Sequence, residues 1–103
     1  MDADFFLWLE YNNRIRVRLL AERGNLLKVL CQYESLIDGH WTPIVRYDSA
    51  HGFFHKDILY RDGTKEKRDV NYIDLNSAFN YARDDLENNW QSYLDRYNTQ
   101  KWR

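Results

Sequence analysis

Residues 14–35 read RIRVRLLAERGNLLKVLCQYES, and the fold turns on how this stretch is spaced. In its first half Ile15, Val17 and Leu19 alternate with Arg14, Arg16 and Arg18. A period of two is the mark of a strand with one face in a core and the other in water. After Arg23-Gly24-Asn25 the second half places Leu27, Val29, Cys31 and Tyr33 on one face. Lys28, Gln32 and Glu34 take the other, with Leu26 and Leu30 mixed in. Two alternating segments around a glycine read as an antiparallel hairpin.

The same grammar continues outward. Gly24, Gly39, Gly52 and Gly63 fall between apolar or alternating segments at fairly regular spacing, as in a meander. WTPIVRYD at 41–48 is a strand with Pro43 near its start or on an edge, because proline cannot donate to a ladder. FFHKDILY at 53–60 and the charged TKEKRDV at 64–70 follow as two more strands, the latter an edge that resists aggregation. FFLWLEY at 5–11 reads as a further strand in preference to an apolar arm.

From Asp74 the period changes. Leu75, Phe79, Ala82, Leu86, Trp90, Tyr93 and Tyr97 advance by three and four residues, which draws one apolar stripe along a helix. Asp74 suits the N-cap. About 24 helical residues would run roughly 36 Å, longer than a strand of roughly 17–20 Å. The far end, from Trp90 to Trp102, therefore overhangs the sheet or meets something else. The expected architecture is a single α+β domain over residues 1–103. An antiparallel meander of four to six strands, roughly 5–70, carries one long C-terminal helix, roughly 74–98, on one face.

Composition narrows the function classes. The chain of 103 residues carries 15 basic and 16 acidic side chains, for a net charge of −1. That balance argues against a general nucleic-acid coat or a membrane-surface protein. Aromatics make up 17%, more than a small core needs, so some rings are expected at a partly exposed or self-association surface. Cys31 is the single cysteine, reads as a small core residue, and excludes an internal disulfide. With no apolar leader or spanning run, the chain is expected in the cytoplasm.

The chemistry-bearing residues crowd into VRYDSAHGFFHKDILYRDG, residues 45–63. A four-residue loop from Ser49 to Gly52 would set Tyr47 opposite Phe54 on the core side and Arg46 opposite His55. Arg46, His55 and Asp57 would share the other face, with Asp48 at its upper end. Histidine suits proton transfer near neutral pH, a carboxylate can orient it, and arginine can stabilise charge on a phosphate. His55 and His51 for proton transfer, Arg46 at the phosphate, and Asp57 or Asp48 as orienter would form a metal-independent ribonuclease site. Arg14, Arg16 and Arg18 would extend it as an RNA-binding surface. The plainer reading is a solvated sheet face and a turn capped by Asp48, acting in binding. A metal site from His51, His55 and Asp57, with His40 from elsewhere, is a third reading. Neither of the first two asks for a cofactor.

The pattern QYE-x-LIDG-x-W-x-P-(I/V)-VRYD-x-AHGF-x-H-(K/R)-D-x-L, then a DG turn and a helix with ENNW-x-x-Y, resembles a family of small uncharacterised prokaryotic proteins. It is carried by Gln32 to Glu34, Leu36 to Gly39, Trp41, Pro43, Val45 to Asp48, Ala50 to Phe53, His55 to Asp57, Leu59, Asp62 and Gly63. More loosely, Arg46, Tyr47, Asp48, Ala50, His51 and His55 resemble the TumE-type toxins of toxin–antitoxin pairs. The histidine-rich loop such proteins tend to carry is shorter here. The likeness implies a toxin-like or RNA-directed role. The leading expectation is a small binding protein of a toxin–antitoxin or defence-type pair, partnered by protein or RNA and dimeric through its helix or an edge strand. The ribonuclease is the alternative.

Overall fold

The computed structural model describes residues 2–99, apart from the side chain of His51. Six strands run β1 (Asp2–Glu10), β2 (Asn13–Glu22), β3 (Asn25–Ile37), β4 (His40–Asp48), β5 (His55–Leu59) and β6 (Lys65–Asp69). Among the described residues one α-helix, α1 (Leu75–Thr99), follows the strands. The strands pair in chain order, each antiparallel to the next, so the sheet is a plain meander. The expected α+β architecture is therefore the observed one, and the N-terminal apolar segment is a strand.

Local chemistry sets the turns. Arg23-Gly24 and Asp38-Gly39 both have positive φ at each residue, the type I′ pattern whose twist matches the flanking strands. Three register shifts bulge the β1–β2, β2–β3 and β3–β4 pairs. The second one corrects the expected alternation of β3. Lys28 pairs with Leu20 but Leu26 pairs with Ala21, so Leu27 is the extra residue and stands 48% exposed. Leu26 packs on the core instead.

Ile15, Val17, Val29, Cys31, Tyr33, Val45 and Tyr47 bury one face of the sheet against Ala78, Ala82 and Leu86 of α1. The two alanines let the helix axis lie close over β3 and β4. Asp74 caps the helix as expected, with its Oδ1 accepting the Ser77 N–H at 2.8 Å. The far end meets the sheet side of the protein. Trp90 sets its edge against Tyr33 at 5.9 Å, and Tyr97 lies under the Arg61 guanidinium at 5.8 Å. Trp102 lies outside the described residues. Burial pushes the Cys31 thiol up to about 12, as fits a core side chain. Among the described residues no helix is long and apolar enough to cross a membrane.

Candidate functional site

The other sheet face carries the residues with chemistry. Among the described residues no helix lies over it, yet several of its polar side chains are buried. Gln32, Glu34, His55 and Asp57 are between 2% and 8% exposed. The face closes over itself at one end. Trp8 on β1 and Trp41 on β4 are three strands apart, roughly 14 Å in a flat sheet, yet their rings meet at 5.7 Å. The Arg14 guanidinium sits between Phe6 and Trp41, 3.9 and 3.8 Å from the ring centroids.

Arg14 also starts a chain of polar contacts. Its Nε donates to Glu34 Oε1 at 2.8 Å, Gln32 Nε2 donates to Glu34 Oε2 at 2.6 Å, and Arg46 Nε donates to Gln32 Oε1 at 2.6 Å. Arg14 is thus largely held by protein groups, with its side chain 16% exposed. Arg16 and Arg18 are looser. Both reach Asp4 Oδ2, at 3.4 and 3.5 Å, and their side chains are 38% and 60% exposed.

The β4–β5 hairpin departs from its expected register by two residues. The connection runs from Ser49 to Phe54 and contains one 3₁₀ turn, Ala50–Gly52. Asp48 therefore stands opposite His55, Tyr47 opposite Lys56 and Arg46 opposite Asp57. The cause lies at both ends of the loop. Asp48 Oδ1 takes the Ala50 N–H at 2.9 Å, and Ser49 exchanges two 3.0 Å hydrogen bonds with the backbone of Val29. Phe54 gives its carbonyl to the Val70 N–H at 2.9 Å and so belongs to the β6 side. A slip of two keeps every residue on its face. Tyr47 and Phe54 still stack, at 5.7 Å and 16°.

The expected solvated cluster is instead largely buried. His55 and Asp57 share a face of β5 by their i, i+2 spacing, and both are 2% exposed. His55 Nε2 lies 3.1 Å from Asp48 Oδ1 and 3.8 Å from Asp57 Oδ2, with Phe53 over the imidazole at 5.6 Å. His55 Nδ1 and Asp57 Oδ1 are buried with no hydrogen-bond partner among the described residues. Asp48, His55 and Asp57 are the set whose ligand atoms could hold a metal ion. His40 is excluded from it, because it opens β4 and Asp48 ends it, roughly 26 Å away by strand rise. The His51 side chain lies outside what is described. Asp48 also borders an open groove of about 830 Å³, lined by Arg18, Leu20, Lys28 and Leu30 among others.

A second polar cluster lies under α1, where only apolar packing was expected. Asp85 Oδ2 accepts hydrogen bonds from Tyr47 at 2.7 Å and Tyr93 at 2.6 Å, and Asp85 Oδ1 accepts one from Asn89 at 2.8 Å. Lys56 Nζ reaches Tyr93 Oη at 2.6 Å and Asp85 at 3.4 Å. Burial works to raise the Asp85 pKa, but the hydrogen bonds from Tyr93, Tyr47 and Asn89 and the Lys56 charge outweigh it and hold the carboxyl low. Burial, then the Asp85 carboxylate, pushes the Tyr47 and Tyr93 phenols up. The available signal was the four-residue spacing of Tyr81, Asp85, Asn89 and Tyr93, a polar stripe beside the apolar one.

No curated protein and no solved structure matches the chain. A family model matches residues 1–103, and by that match the chain belongs to the family described as a domain of unknown function (DUF7718).

Proposed function

We propose that this is a binding protein whose working surface is the sheet face turned away from α1, and that this surface takes single-stranded RNA. The carrying observation is the side-by-side placement of exposed aromatic rings on β1 and accessible arginines on β2. Phe6 and Trp8 are 40% and 63% exposed, and Phe6 stands opposite Arg16 in the register. An aromatic face stacks an unpaired base, worth about 1–3 kcal/mol per base, and an arginine takes the adjoining phosphate. Asp4 is a weak competitor for Arg16 and Arg18, since exposed pairs contribute only about 0–1 kcal/mol. Arg46 continues the row beyond Gln32. Arg14 serves as scaffold for the aromatic cluster and is not counted as a contact.

Charges of both signs lie on this face: Asp4 stands opposite Arg18 on the β1–β2 side, and Arg46 and Lys67 stand on either side of Asp57 on the β4–β6 side. Exposed rings and accessible arginines adjoin only along β1–β2 among the described residues, and a short strand fits there. The ribonuclease alternative asks His55 to exchange a proton with a 2′-hydroxyl. Its ring is buried under Phe53 with Nε2 turned to Asp48, which favours binding over cleavage.

The likeness to TumE-type toxins is in keeping with RNA as target and with a place in a toxin–antitoxin or defence-type gene pair. The unpaired, buried Cys31 suits a reducing compartment such as the cytoplasm. We place self-association on β1, whose outer edge spans nine residues and bears exposed Phe5. The test of the reading is titration of a labelled single-stranded RNA by fluorescence anisotropy, with Trp8→Ala and the double variant Arg16→Glu/Arg18→Glu. Binding that both changes weaken supports it, and binding insensitive to both contradicts it.

A further inference from the structure

We propose that Asp48, His55 and Asp57 form a binding site for one first-row divalent transition-metal ion, held by Asp48 Oδ1, His55 Nε2 and Asp57 Oδ2. The site is built by strand geometry. The i, i+2 spacing puts His55 and Asp57 on one face of β5, and the register puts Asp48 opposite His55. The three ligand atoms lie within 4.8 Å of one another. Bonds of about 2.0–2.2 Å to one ion set neighbouring ligands roughly 3.0–3.5 Å apart. The Asp48–His55 separation of 3.1 Å is already in that range, and the His55–Asp57 separation of 3.8 Å exceeds it by a few tenths.

An independent observation comes from Asp57. It is 2% exposed, its Oδ1 has no hydrogen-bond partner among the described residues, and its nearest cationic candidate is His55 at 3.8 Å. Arg46 and Lys67 stand opposite it on the two flanking strands, yet Arg46 turns its Nε to Gln32 and neither comes within 4 Å of the Asp57 carboxylate. A buried carboxylate so poorly compensated is unfavourable unless something positive is bound beside it. A second carboxylate, Asp48, adds to the same deficit. A divalent cation at the centre of the three groups supplies the missing charge.

The donor set names the class of ion. One imidazole nitrogen and two carboxylate oxygens suit manganese to zinc, and the absence of thiolate argues against Cu(I). The nitrogen donor separates the site from the all-oxygen cages typical of Ca²⁺ and from Mg²⁺ sites. Three protein ligands leave positions for water or a ligand oxygen. An open groove borders the site at Asp48. Ala50 N–H holds Asp48 Oδ1 in place, the kind of outer contact that orients a ligating carboxylate.

The inference stands apart from RNA binding, and its test reads metal alone. Chelator-stripped protein is titrated with Zn²⁺ and Co²⁺ by calorimetry and visible absorption, with Mg²⁺ as comparison. One equivalent should bind, with Co²⁺ giving d–d bands and Mg²⁺ giving weaker binding. Asp57→Asn, checked for folding by circular dichroism, should lose at least tenfold in affinity, and His40→Ala none. Mn²⁺ broadening of imidazole NMR signals in the wild type needs no variant, and should strike His55 before His40. Equal broadening of both rings, or unchanged affinity in folded Asp57→Asn, would overturn the site, as would no saturable binding.

Discussion

Asp48 and His55 face each other across the β4–β5 pair, with Asp48 Oδ1 3.1 Å from His55 Nε2. The same oxygen caps the loop by accepting the Ala50 N–H. One carboxylate thus fixes both the start of the turn and the setting of a buried imidazole. Asp48→Ala should lower unfolding free energy by about 1–3 kcal/mol, since it leaves a buried group and a loop N–H less satisfied. Asp69→Ala, exposed on the edge strand opposite His55, should stay within about 0.5 kcal/mol. Urea unfolding of the two variants checks this, and equal effects would refute the role given to Asp48.

The carboxyl of Asp85 gives an acid limb to stability. Its folded pKa is held below its unfolded value, which is about 3.9. The contribution is therefore complete above that value and fades as pH falls through the lowered one. Wild-type stability should drop below about pH 4, and Asp85→Asn should flatten that part of the profile. The variant should also lose about 2–4 kcal/mol at neutral pH, because Lys56 keeps its charge without a counterion. Denaturation midpoints at several pH values provide the measurement.

An alkaline limb follows from the tyrosines with the opposite sign. Burial raises Tyr33 to about 12 and lifts Tyr47 and Tyr93 as well. These phenols stay neutral in the folded chain while unfolded ones ionise near 10. Their contribution is complete below about pH 10 and is lost as pH rises beyond it. Phenolate absorbance should show a group of the 8 tyrosines that ionise only as the protein unfolds. A single titration of all tyrosines near pH 10 would contradict the buried network.

The β1 edge predicts concentration-dependent dimerisation. Phe5 is 38% exposed on a nine-residue edge strand, whereas the opposite edge, β6, is short and charged. Sedimentation velocity should show a monomer–dimer equilibrium that Phe5→Lys shifts to monomer. A wild type that stays monomeric as concentration rises would remove β1 as the contact.

Much of this architecture was legible because period two and period 3.6 are local signals. Ile15, Val17 and Leu19 announce β2, and Leu75 to Tyr97 announce the helix, without knowledge of any partner. Register is not local. The β4–β5 slip of two depends on where Ser49 and Phe54 find backbone partners, and those lie on β3 and beside β6. The bulge at Leu27 was hidden for the same reason. Burial of His55 and Asp57 was unreadable because a His-x-Asp pattern looks alike on a wet or a covered face. The set Arg46, Asp48, His55 and Asp57 was nonetheless placed on one face, since a slip of two preserves it.

The central claim is that the face opposite α1 binds single-stranded RNA through β1 aromatics and β2 arginines. Anisotropy titration of a fluorescent single-stranded RNA against the purified protein, repeated across salt concentrations, tests it most directly. Saturable binding is predicted, with a slope of log affinity against log salt of about −2 for roughly three phosphate contacts. Trp8→Ala and Arg16→Glu/Arg18→Glu should each weaken it at least tenfold, with the RNA recovered intact. No saturable binding at low salt, or full affinity in both folded variants, would contradict the account.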